Sequence, residues 1–113
     1  MDTNRIKKLF VEGSIDRIER IKAKLGELKK KREDMGDLLM DIYIMAHGIN
    51  SSSVFLPIKP ISNLSKAIEK QIKQWLDDSF APSAQQIKEI VSDLNKLKKM
   101  IKDIDKYFGE IDL

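Results

Sequence analysis

His47 is the single histidine of the chain and the first residue to weigh for acid–base or metal chemistry. A metal site on one helix asks for a second His or a carboxylate three or four residues away, one turn along the same face. Those positions hold Tyr43, Ile44, Asn50 and Ser51. No Arg lies close before His47, so the Arg-then-His pattern of helical ribonucleases is missing too. With Gly48 directly after it, His47 reads as a helix-end residue facing the negative end of the helix dipole.

Carboxylates are the next candidates. Glu33, Asp37 and Asp41 recur every fourth residue and make an acidic row down one helix face. Di-metal helical proteins add Glu-x-x-His on facing helices, and no such motif is present. The row reads as a solvated face, with Lys29 and Lys30 as same-helix partners of Glu33 and Asp34. There is no glycine-rich phosphate loop, no Gly-x-Ser-x-Gly and no dinucleotide fingerprint. The chain has no cysteine, which removes disulfides, thiolate metal sites, iron–sulfur clusters and thiol nucleophiles. The expectation is a protein that is not an enzyme and has no catalytic residue, metal or cofactor.

Cationic residues gather in two places, Lys29-Lys30-Lys31-Arg32 and Lys98, Lys99, Lys102 and Lys106. Lys29, Lys30, Lys31, Lys98, Lys99 and Lys102 are the candidate contacts to an anion or nucleic acid. Such contacts would give salt-sensitive, sequence-indifferent binding. Glu27, Glu33 and Asp34 dilute the first cluster, no stacking aromatics are interleaved, and net charge is only +3. Weak nucleic-acid binding is therefore an alternative rather than the leading reading.

Positioning these residues falls to helices. The composition is 42% hydrophobic and 35% charged, with five Gly and three Pro, which suits amphipathic helices. Ile87, Ile90, Leu94, Leu97, Ile101, Ile104, Phe108 and Ile111 alternate at spacings of three and four. Ser83, with Gln86 three residues on, marks the start of this helix, predicted over 83–109. A second series, Ile18, Ile21, Leu25, Leu28, Arg32, Met35, Leu39, Ile42 and Ala46, keeps the same rhythm with one polar member. It predicts a long helix over 14–48, a rod of about 50 Å, with Gly36 as the point where it would bend or break. A shorter helix is expected over 62–78, with Leu64, Ala67, Ile68, Ile72, Trp75 and Leu76 inward. The Ser/Pro-containing segment 49–61 connects them, and Ile6, Leu9 and Phe10 in segment 1–13 suit one short helical turn.

The expected fold is all-α: one domain over 1–113, a three-helix bundle with long, coiled-coil-like first and last helices and a shorter middle one. Helices of unequal length leave stripe beyond the reach of the short helix. That excess points to a helical protein–protein interaction module: an adaptor, assembly subunit or small regulator. The face expected to meet a protein partner, or a second copy, comprises Leu25, Leu28, Arg32, Met35, Leu97, Ile101, Ile104 and Phe108. No apolar run is long enough for a membrane span or a signal peptide, so a soluble cytoplasmic protein is expected.

The tail offers one further lead. Phe108-Gly109-Glu110-Ile111-Asp112 reads Phe-x-x-x-Asp after a long helix. It resembles the tail of the small helical export partners of Gram-positive type VII secretion, which carry an aromatic and an acid at this spacing. The similarity covers five residues, and the Trp-x-Gly turn of that family is missing, since Leu76 and Asp77 follow Trp75. It implies an export-associated helical protein as another alternative.

Overall fold

The computed structural model describes residues 3–30, 35–54, 58–78 and 82–105. These form four α-helices, and no strand occurs among the described residues: α1 (Thr3–Lys30), α2 (Met35–Ser53), α3 (Lys59–Asp77) and α4 (Ala84–Lys102). The all-α expectation holds; the three-helix count does not. The series predicted as one rod over 14–48 is divided between α1 and α2. Residues 29–34, Lys-Lys-Lys-Arg-Glu-Asp, are all charged and offer nothing to a core. On either side the stripe is apolar, and two antiparallel helices bury both halves against each other, which one straight rod could not do.

The N-terminal segment is also part of α1, which runs unbroken through Gly13. Ser14, expected to open a helix, lies fully buried inside one instead. Likewise α2 continues through Gly48 to Ser53. The third helix starts at Lys59, with Pro60 in its first turn, where a missing N–H costs no helical hydrogen bond. Of its expected inward residues, Ile68, Ile72 and Trp75 are buried, Leu64 and Leu76 are half-buried and Ala67 is exposed. The start of α4 follows the expectation. Gln86 N–H donates to Ser83 Oγ at 3.1 Å, and Ser83 N–H donates to Gln86 Oε1 at 2.8 Å.

Helix directions follow from the pairs that meet. Lys24 reaches Asp41 at 3.5 Å and the Arg17 guanidinium packs beside Gly48, so α1 and α2 are antiparallel. Lys7 pairs with Asp105 and Glu19 with Lys98, which sets α4 antiparallel to α1. Asn50 meets Glu69 while Tyr43 is level with Lys73, so α3 runs against α2. Each helix packs on two neighbours, and among the described residues the diagonal pairs α1/α3 and α2/α4 bring no Cα atoms within 8 Å of each other. The result is an up-down-up-down four-helix bundle within an envelope of 48 × 23 × 20 Å.

Every helix contributes a three-four series to one core. Buried members include Ile18, Ile21 and Leu25 of α1, Leu39, Ile42 and Ile49 of α2, Ile61, Ile72 and Trp75 of α3, and Leu94, Leu97 and Ile101 of α4. Three members are polar: Ser14, Ser53 and Ser65. Each replaces a large apolar side chain, and the antiparallel registers set Ser14 and Ser53 toward the same end of the bundle. Ser53 Oγ donates to the Asn50 carbonyl at 2.7 Å, whereas the hydroxyls of Ser14 and Ser65 find no partner.

Candidate functional site

The residues expected to meet a partner fall into three groups. Leu25, Leu28, Leu97, Ile101 and Ile104 are buried in the chain's own core, and Met35 packs half-buried against it. Arg32 and Phe108 lie outside the described residues. Among the described residues the heptad stripes are therefore occupied within one chain, and the large apolar side chains left exposed are elsewhere.

Most of that exposure is on α2 and the residue after it. This helix carries only two charged side chains, Asp37 and Asp41, and is apolar on nearly every side. A helix apolar all round belongs in a core, yet a square bundle covers only its inner face. Met40 stays 45% exposed and Ile44 58% exposed on the outward face. They belong to a second three-four series on that face: Asp37, Met40, Ile44, His47, Ser51 and Val54. All six are exposed. Leu9 on α1 is the other large exposed apolar residue among those described.

His47 anchors one end of this face. Its ring stacks on Tyr43 with centroids 6.0 Å apart, and its Nδ1 hydrogen-bonds Glu69 Oε1 of α3. Asn50 Nδ2 donates to Glu69 Oε2 at 2.6 Å, so both carboxylate oxygens are engaged. Ser51 Oγ lies 3.3 Å from His47 Nε2. Hydroxyl, imidazole and carboxylate thus line up in the order of a nucleophile relay. The surroundings do not complete one. Backbone N–H groups near Ser51 are spent in the α2 ladder, and the C-terminal half of a helix places negative potential where an oxyanion would form. His47 is itself 58% exposed, with no wall to exclude water from the reacting atoms. The cluster ties α2 to α3 and holds the imidazole in a fixed orientation.

His47 is thus placed differently from its expected helix-end position: α2 runs six residues beyond it. The signal for its partner was available only in three dimensions, because Glu69 is 22 residues away on another helix. Of the acidic row, Asp41 pairs with Lys24 of α1, and Glu33 lies outside the described residues. No group of three or more potential metal-ligating side chains occurs among the described residues.

Lys31 and the side chains of Lys29 and Lys30 lie outside the described residues. Lys98 is half-buried and bound to Glu19, while Lys99 and Lys102 are exposed. The Lys98 ammonium hydrogen-bonded to Glu19, aided by Lys22, holds the Glu19 carboxyl below its ordinary value despite some opposing desolvation. Phe108 and Asp112 of the export-like tail are outside the described residues. No described helix is long and apolar enough to cross a membrane.

No protein-family model, curated protein or solved structure matches this chain.

Proposed function

We propose that this chain is a non-catalytic helical interaction module, an adaptor, assembly subunit or small regulator, that docks a protein through the outward face of α2. One observation carries the reading. The bundle uses its heptad stripes internally and leaves Met40 and Ile44 in water on its most apolar helix. Single exposed hydrophobes are ordinary. Two on successive turns of one helix, flanked by Asp37 and Asp41 with no Lys or Arg on that helix, form a face with its own charge and pattern. Docking there uses surface the fold does not need, so binding and folding are separable. A cytoplasmic location suits this role.

The test is a photo-crosslinking side chain placed at Ile44, compared with one at Lys66 on the exposed face of α3, in cells producing the full chain. A protein adduct specific to position 44, lost in the presence of an Asp37→Lys change, is the expected result. Equal labelling from both positions would contradict the reading.

A further inference from the structure

The outward face of α2 is complementary to itself. Two copies of α2 can pack antiparallel so that residue numbers across the pair add up to 84, with the two-fold axis passing by position 42. Met40 then faces the second copy's Ile44, and Ile44 faces its Met40. One layer outward, Asp37 faces the second copy's His47, and the same pair recurs at the other end. Two apolar layers are closed on both sides by an acid against an imidazole. All four positions are exposed in the folded chain. We propose that this face is a homodimer interface, a weak antiparallel α2–α2 contact between two complete bundles. The proposal rests on the α2 docking reading and names its occupant as a second copy.

Several features of the single chain suit this pairing. An isologous two-fold contact requires a surface that is its own complement, and a three-four series read in opposite directions supplies one. His47 is already oriented by Tyr43 and Glu69, with its Nε2 edge near Ser51 rather than buried. Antiparallel packing also sets the N-terminal end of each α2 dipole beside the C-terminal end of the other, which favours the pair. Asp41 approaches its own copy across the axis, and Lys24 of the same chain, 3.5 Å away, offsets that charge. Gly36 at the rim has nothing within 4 Å of where a Cβ would stand, so the backbones can come close. The neighbouring register is poorer: a sum of 91 sets Asp37 against Val54 and Ile44 against His47. One helix pair falls below the roughly 1,200 Å² of a standard interface, so the dimer forms only at high protein concentration.

The experiment uses the full chain. Sedimentation equilibrium from micromolar to millimolar concentration is expected to show a monomer–dimer equilibrium. Ile44→Asp should weaken it by about tenfold or more without changing the thermal melt, since Ile44 lies outside the core. Because the protein has no cysteine, register can be read by mixing Met40→Cys chains with Ile44→Cys chains under mild oxidation. The mixed disulfide is expected to dominate over either symmetric one. A chain that stays monomeric throughout, a dimer indifferent to Ile44→Asp, or a dominant Ile44→Cys symmetric disulfide would each overturn the proposal. A monomer that still gives a position-44 adduct to a different protein would overturn self-association and leave the docking reading standing.

Discussion

Single residues show where the bundle falls short of its own optimum. Gly26 is exposed in the interior of α1, and a Cβ there would meet nothing within 4 Å. Gly26→Ala should therefore stabilise the protein by about 0.5–1 kcal/mol in urea denaturation, by restricting the unfolded chain and improving helix propensity. The hydroxyls of Ser14 and Ser65 are buried without a partner. Ser14→Ala and Ser65→Ala should each add about 1 kcal/mol by removing an unsatisfied polar atom; a loss from both would mean that something satisfies these oxygens in solution. Glu19 has the opposite character. Its carboxyl is held below its ordinary value of 4.5 by Lys98 and then Lys22, so its contribution to stability is present above that value and fades as pH falls through the lowered one. Glu19→Gln should cost less than ~1 kcal/mol at neutral pH, because the group is largely solvated, and the gap to wild type should shrink in an acid denaturation series as pH falls below the ordinary value of 4.5.

At the scale of elements, the legibility of the sequence was uneven for physical reasons. Apolar periodicity located α4 and its capping box to within a residue at its start, because Ser83 and Gln86 act locally. The inward residues of α3 were mostly readable for the same reason. Periodicity failed between α1 and α2: a three-four rhythm persists in register from one helix to the next, although α1 ends at Lys30 and an antiparallel α2 begins at Met35, just before Gly36. Glycine misled in the other direction, since Gly13 and Gly48 sit inside helices held by packing. Leu25 and Ile101 of the stripes are buried within the chain; whether such a position meets its own chain or another depends on helix count, which periodicity alone does not settle. His47 and Glu69 meet only because α2 and α3 are adjacent, so no local signal joins them. That junction carries a prediction of its own. Glu69→Ala removes the acceptor for both His47 and Asn50 at a carboxylate only 15% exposed. It should cost about 1.5–3 kcal/mol in denaturant unfolding and raise amide exchange along α2 more than along α4.

For the whole molecule, the four described helices, one of 28 residues and three of 19, close on one core, which explains the shape and supports the proposed role. A three-helix arrangement with a rod of about 50 Å would have left apolar stripe unburied and made partnership a condition of folding. Two antiparallel helices in place of the rod bury that stripe within the chain, and the proposed association falls to the outer face of α2. The central claim is therefore that the core is complete within one chain. The most direct measurement is helical circular dichroism and melting temperature against protein concentration, from about 1 to 100 μM. Full helicity and a melting temperature independent of concentration across that range are expected, since a weak surface contact adds almost nothing to stability there. Helicity that collapses on dilution, with a melting temperature climbing steadily with concentration, would show that the stripes are shared between chains and would contradict the claim.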